Sequence, residues 1–290
     1  YMNEIGQNTK FLIVGLGLMG GSYAEALSSK GFTVNAITKD QESVDYALKR
    51  GIINEGSVKI DPKLIKEADI IIFALYPHVL IEWITEHQNL IKPNTLLTDV
   101  TGVKRAVVPK IQSILRDDLE FIGSHPMAGR ESYGIQNADS SIFKSANFIV
   151  TPTEKNTPEA IEICKKLGEI LGFARISELS IDDHDKMIGF LSQLTHCIAI
   201  SLMTCNTNDD LVKYTGDSFR DLIRIAKIND VMWPELFLLN KEYLTKEIDM
   251  FINELEKIKT YPDTDDGKSL QKMMKLSTER KIRFDQNNLK

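Results

Sequence analysis

The chain has 290 residues, 42% of them apolar and 26% charged, which suits about two globular domains and excludes a disordered, collagenous or disulfide-framed chain. With 35 basic and 41 acidic side chains its formal charge is −6, so the broad basic field of a nonspecific nucleic-acid binder is missing and any anionic ligand must be held by local cations. The cysteines Cys164, Cys197 and Cys205 fit no zinc or disulfide spacing and read as reduced, buried thiols; no metal site is expected.

In chain order, the first part alternates short apolar runs with helical patterns. Strands are expected at residues 11–14, 33–37, 70–75, 95–98, 121–124, 147–151 and 174–176, and helices at 22–30, 42–50, 79–90, 104–115 and 158–171. Residues 70–75 are almost continuously apolar, as in a strand covered on both faces. No convincing strand follows residue 177, and helices are expected at 181–205, 209–213, 218–227, 234–259 and 268–285. The expected architecture is α/β: a Rossmann-type doubly wound parallel sheet over residues 1–178, then an all-α domain over 179–290.

Residues 187–208 contain no Asp, Glu, Lys or Arg. A helix apolar nearly all round must be covered on every side. Its polar members Ser192, Gln193, Thr195, His196, Ser201 and Thr204 argue against a membrane span, and a homodimer interface through the helical domain would supply the cover. The start of the chain shows no signal-peptide pattern, so a cytoplasmic protein is expected.

Between the first strand and helix lies Gly15-Leu16-Gly17-Leu18-Met19-Gly20, which fits G-x-G-x-x-G in the strand–turn–helix setting that gives this string its meaning. Gly15 allows the turn, Gly17 lets the backbone approach a pyrophosphate, and Gly20 allows close helix–strand packing. The helix-start amides then face the anion. The tip of the second strand should carry the acid that reads the ribose of NAD. Thr38 stands there with Lys39 beside it, a pair that favours the 2′-phosphate of NADP, although Asp40 would restore an NAD-type acid.

Ligands of open α/β sheets bind beyond the carboxyl ends of the strands. There the chain places Leu75-Tyr76-Pro77-His78, Asp99-Val100-Thr101-Gly102-Val103-Lys104, and His125-Pro126-Met127-Ala128-Gly129-Arg130-Glu131. Leu75 and Tyr76 are expected beside the cofactor. His125 is held extended by Pro126, and an ordinary imidazole pKa near 6.5 suits proton removal at neutral pH. His78 and His87 read as surface or capping residues. In the helical part, Arg220 and Arg224 are four apart, hence on one helical face, where they can clamp carboxylates or join Asp221 in a surface ladder. His196, inside the uncharged helix, reads from its position alone as a core histidine.

Together these motifs resemble the prephenate dehydrogenase family, including its arogenate-using relatives. Gly123-Ser124-His125-Pro126-Met127-Ala128-Gly129-Arg130-Glu131 is similar to the family's G-x-H-P-x-A-G-x-E. Phe219-Arg220-Asp221-Leu222-Ile223-Arg224-Ile225-Ala226, with Met232-Trp233 and Asn240, resembles its F-R/K-D-x-T/S-R-I-A…W…N. Ser192-Gln193-Leu194-Thr195-His196 stands where the family often has S-H-L-P-H, and His184-Asp185 resembles the His-Asp pair that starts the same helix.

The resemblance implies oxidative decarboxylation of prephenate, or of arogenate, with hydride transfer to NAD(P)+ in tyrosine biosynthesis. It implies that His125 is the catalytic histidine, with Thr101 and Lys104 in the adjoining motif. Glu131 would be a gating or orienting acid, and Arg224 would bind a substrate carboxylate, helped by Arg220 or Arg130. His196 becomes a second substrate-side histidine, and Arg220, Asp221 and Trp233 pocket-forming positions. The family's D-x-x-S-x-K has Gly102 in place of the serine, which leaves Thr101 as the candidate to supply a hydroxyl. No regulatory domain like that of some relatives follows, so inhibition through one is not expected. A β-hydroxyacid or imine-reducing dehydrogenase shares the glycine loop but not the His-Pro-Met-Ala-Gly segment.

Overall fold

The apolar runs become eight strands of one sheet in a computed structural model that describes residues 4–130 and 132–288. They are β1 (Lys10–Val14), β2 (Thr33–Ile37), β3 (Glu55–Ser57), β4 (Ile70–Phe73), β5 (Leu96–Asp99), β6 (Glu120–Pro126), β7 (Asn147–Thr151) and β8 (Arg175–Glu178). Their order is β3-β2-β1-β4-β5-β6-β7-β8. The helices α1 (Leu18–Ser28), α2 (Gln41–Arg50), α3 (Pro62–Glu67), α4 (Pro77–His87), α5 (Val108–Ile114) and α6 (Pro158–Leu171) alternate with them.

Side chains alternate across the sheet with the period of two that a pleat dictates. Phe11, Ile13, Ile70 and Ile72 join a core with α1, α2 and α6, whereas Leu12, Val14, Ile71 and Phe73 join a second core with α3, α4 and α5. Burial on both faces explains why these strands are apolar without a break.

The sheet is not wholly parallel, contrary to what the alternation led us to expect. The first six strands are parallel, but β7 pairs antiparallel with β6, and β8 follows β7. The described residues of the segment joining β6 to β7 form only two short 3₁₀ turns, Ile135–Asn137 and Ser140–Phe143, and among them no crossover helix carries the chain back to the far edge. β7 therefore starts at the edge where β6 ends. β3 and α3 were not expected: Glu55-Gly56-Ser57 has no apolar run, and α3 is a six-residue helix entered through Pro62 and capped by Asp61. α1 begins four residues before the expected start at 22, because the low helix propensity of Gly20 and Gly21 hides its first turn.

After β8 no strand occurs among the described residues. The chain continues as α7 (Ile181–Ile188), a π-helical turn (Gly189–Leu194), α8 (Thr195–Thr204), α9 (Asp217–Ile223), α10 (Met232–Leu239), α11 (Lys241–Asp263) and α12 (Gly267–Asn288). It divides into two compact units between Lys241 and Glu242. The single helix expected at 234–259 is interrupted at Asn240, whose amide donates to the Asp185 carbonyl and to Gln193 Oε1. The stretch Ile181–Thr204 is long and apolar enough to cross a membrane. The expectation that it is covered on every side does not hold within one chain, since Phe190 and Leu191 are 51% and 54% exposed. Likewise Cys164 is buried, but Cys205 is exposed.

Candidate active site

The glycine loop is shaped by close contacts. Gly15 has φ +99, and a Cβ on it would lie 2.4 Å from the Ala74 carbonyl oxygen; one on Gly20 would lie 1.9 Å from the Gly15 oxygen. Gly17, by contrast, faces open space at the N-terminus of α1, where free amides can receive an anion. Leu16 packs in the core, and its amide donates to Thr38 Oγ1 at 3.4 Å. At the tip of β2, Asp40 caps α2: its carboxylate accepts from the amides of Glu42 and Ser43 and from Ser43 Oγ. It is thereby committed to the helix. Lys39 is exposed and has no hydrogen-bond or ion-pair partner among the described residues.

A cavity of about 600 Å³ opens at the carboxyl edge of the sheet. Gly17, Leu18 and Met19 bound it on one side, Leu75, Tyr76, Thr101 and Gly102 below, and His125 to Arg130 beside them. Ser192, Gln193, His196, Arg224, Lys227 and Trp233 form the opposite wall. Tyr76 OH accepts from Asn229 Nδ2 at 3.0 Å, which ties the tip of β4 to the helical side.

His125 belongs to β6 itself, opposite Ile149 of β7, so a ladder fixes its backbone. Its half-buried ring lines the cavity, and its Nδ1 lies 2.8 Å from His184 Nε2. His184 Nδ1 is in turn 2.7 Å from Asp185 Oδ1, and both residues are completely buried. Burial, then the neighbouring His184 and Lys104, hold the His125 imidazole well below the usual histidine range, so it is neutral at physiological pH.

Lys104 does not reach the cavity. It is fully buried beneath it, with Nζ 2.6 Å from Asp99 Oδ2 and 2.5 Å from the Ser124 carbonyl oxygen. Thr101 lies in the cavity wall, but its hydroxyl engages the Asp99 carboxylate, so it is not a free donor to a ligand. A Cβ on Gly102 would stand 3.9 Å from His125 Cε1, which leaves the space beside the imidazole open.

On the helical side the π turn brings Ser192 and Gln193 to the wall, and Gln193 donates to the Leu236 carbonyl. His196 bonds the Ser192 carbonyl through Nδ1 and lies against Trp233 with ring centroids 3.8 Å apart, so it is a cavity residue rather than a core one. Arg224 lines the cavity. Arg220 and Asp221 do not: Arg224 continues the helical backbone of α9, so the two arginines keep their four-residue spacing, but Arg220 pairs with exposed Asp217 and of the two only Arg224 lines the cavity. Arg130 lines the cavity and pairs with Asp139 at 2.6 Å. Glu131 lies outside the described residues. His78 bonds Glu235 at 2.8 Å, and His87 packs edge-on against Trp83, so neither faces the cavity.

Two residues went unassigned from sequence. His184 was visible only as half of a His-Asp pair, with nothing to show that it touches His125. Lys227 carries no motif signal; the turn after α9 brings it to the cavity, where it has no ion-pair partner among the described residues.

Residues 23–176 match the family model described as the nucleotide-binding domain of prephenate dehydrogenase, and residues 180–276 match that of its dimerization domain. The chain is 31% identical over 271 residues to a prephenate dehydrogenase of Bacillus subtilis, spanning 91% of this chain and 73% of that one. It is 26% identical to a cyclohexadienyl dehydrogenase of Zymomonas mobilis, over 93% and 94% of the two chains. The solved structure of a prephenate dehydrogenase from A. aeolicus, in complex with hydroxyphenyl propionate and NAD+, superposes with a TM-score of 0.86 at 28% identity, over 95% of this chain and 98% of that one.

Proposed function

The chain belongs to the prephenate dehydrogenase family, and from that membership we propose that it oxidatively decarboxylates prephenate to 4-hydroxyphenylpyruvate for tyrosine biosynthesis. The observation that carries the reading is the neutral imidazole of His125 in the wall of one cavity bounded by the glycine loop and by Arg224. The residues fit a nicotinamide dinucleotide: Gly15 and Gly20 admit only the tight turn, and Gly17 with the first amides of α1 leaves room for a pyrophosphate. When bound, NAD(P)+ accepts the hydride.

His125 takes the proton of the ring hydroxyl as hydride leaves the carbinol carbon, and the ring carboxylate departs as carbon dioxide. Aromatisation of the ring drives the step, so the protein supplies orientation, proton removal and exclusion of water. Prephenate carries two carboxylates, and Arg224 holds one. Arogenate, which differs only in an amino group for the keto group, is the alternative substrate. Nicotinamide reduction with prephenate and with arogenate, each against NAD+ and NADP+, tests the reading. No turnover with either acid rejects it.

Loss of a charge-assisted bond costs about 1.5–3 kcal/mol, so Arg224→Ala is expected to raise KM for the acid roughly 10-fold or more with kcat little changed. Arg220→Ala, outside the cavity, should leave both constants alone. Steady-state kinetics on the two variants decide this, and equal effects would remove the clamp.

For the cofactor phosphate, commitment of Asp40 to α2 supports NADP+ as the preferred form. Lys39 and Thr38 then receive the 2′-phosphate. Lys39→Asp is expected to shift kcat/KM towards NAD+ by about tenfold or more, the scale of one charged contact. Indifference of the NADP+ constant to Lys39 would sink this assignment.

In this reading residues 1–178 hold the dinucleotide, residues 179–290 supply substrate contacts and the dimer surface, and the enzyme is cytoplasmic. The bare apolar side of Ile181–Thr204 and the match to a dimerization domain support a homodimer. Light scattering should return twice the chain mass; a monomer at micromolar concentration would contradict it.

A further inference from the structure

The contacts around His125 determine which of its nitrogens carries the proton. Asp185 is the starting point. Its Oδ1 and Oδ2 accept the backbone amides of Lys104 and Arg105, each at 2.8 Å, so the carboxylate is fixed in place and presents only lone pairs. His184 Nδ1, 2.7 Å from Oδ1, must therefore carry a hydrogen. Burial holds His184 below its ordinary pKa, so its ring is neutral and its Nε2 is bare. That bare Nε2 faces His125 Nδ1 at 2.8 Å, and the hydrogen between them must belong to His125. Being neutral as well, His125 is left with a bare Nε2.

We propose that His184 and Asp185 act as positioning residues that lock His125 in the Nδ1–H tautomer, with Nε2 as the proton acceptor turned over to the cavity. This rests on the reading of His125 as the base. A free imidazole favours the opposite tautomer, with hydrogen on Nε2, and that form would meet a substrate hydroxyl with a donor instead of an acceptor. The pair thus reverses the intrinsic preference. In the step itself the substrate O–H bond breaks and an N–H bond forms at His125 Nε2, while Nδ1–H stays bonded to His184. The imidazolium then lies two hydrogen bonds from the Asp185 carboxylate, which stabilises it without taking the proton, the arrangement by which a buried acid supports a histidine base in other hydrolytic and redox sites. Loss of carbon dioxide leaves the aromatic ring oxygen as a phenolate, and Nε2 returns the proton to it, which restores the hydroxyl of the product and the neutral base.

The same bonds have a bland alternative, in which His184 merely packs α7 against the sheet. Nitrogen-15 NMR of the folded wild-type enzyme separates the two, since pyrrole-type and pyridine-type ring nitrogens resonate far apart. With five histidines in the chain, His125→Asn assigns the signal. The expected result is a pyrrole-type Nδ1 and a pyridine-type Nε2 for His125 near pH 7.5; the reverse pattern overturns the proposal. Two variants add a kinetic arm. His184→Gln keeps an acceptor for His125 and a donor for Asp185, and should retain kcat within about tenfold. His184→Leu removes both and should lower kcat about 10²-fold or more at nearly constant KM, with His125 shifting towards Nε2–H. Full kcat in His184→Leu, or equal losses in both variants, counts against tautomer control. Binding of the dinucleotide, followed by fluorescence, reports that each variant is folded. Were the enzyme to turn over neither prephenate nor arogenate, the functional reading would fail, yet the spectrum would still decide the tautomer.

Discussion

His125→Asn is expected to lower kcat by about 10²–10⁴-fold and to leave KM for the acid within a few-fold. Asparagine fits the volume beside Gly102 and retains hydrogen-bonding capacity, so binding should survive while the base is lost. Selective loss of kcat in steady-state kinetics supports a base; a rise in KM at constant kcat would make His125 a binding residue instead. The pH profile gives the sign of its charge. His125 must be neutral to act, so activity is lost as pH falls through its folded-state pKa. Burial, His184 and Lys104 hold that pKa well below 6.5. The profile of kcat/KM should therefore stay level from neutral pH to below 6.5 and decline only in more acidic buffer. An acidic limb centred at or above pH 7 would contradict the neutral-base assignment.

Lys104→Met should destabilise the fold by about 3–5 kcal/mol, the cost of breaking a buried ion pair from one side. Both partners are fully buried, and Asp99 also accepts from the amides of Thr101 and Ser124. Burial pulls the Lys104 ammonium below its ordinary pKa while Asp99 opposes it, so the pair depends on its own geometry. With the ammonium gone, the Asp99 carboxylate stays buried, and the Ser124 carbonyl beside the catalytic strand loses its donor. Urea unfolding of the wild type and the variant measures the difference. A loss under 1 kcal/mol would show that water or a rearranged loop compensates. Lys104 thus bears on activity by holding the loop after β5 and the end of β6 together, without touching substrate.

Much of this was legible in the chain because local pattern and tertiary demand agree. Residues 33–37 and 147–151 as strands and 158–171 as a helix emerge with the expected bounds, since β-branched runs, a Thr157 cap with Pro158 and a closing Gly172 all point the same way. The glycine loop was legible because two of its glycines answer to atoms within 2.4 Å of a would-be Cβ. What escaped depends on side-chain partners and chain turns rather than on local pattern. The reversal of β7 turns on the absence of a crossover helix among the described residues before it, and the different surroundings of Arg220 and Arg224 on how the cavity wall is built. That Thr101 serves Asp99, and that His184 meets His125 across 59 positions, are contacts with no periodicity to announce them.

The reversed direction of β7 also tells where this scaffold tolerates change. Because the strand departs from the cleft instead of arriving at it, the segment between Pro126 and Asn147 is a closed excursion, anchored at both ends on adjacent rungs of one ladder. Its first part, with Met127 and Tyr133, lines the rim of the cavity, whereas Ile135 and Phe143 are buried in the core, so change at the rim can alter the fit of the acid while every strand keeps its partner. Selectivity among related dicarboxylates can therefore drift at the rim positions, whereas a graft of the whole segment must also carry its buried anchors, Ile135 and Phe143.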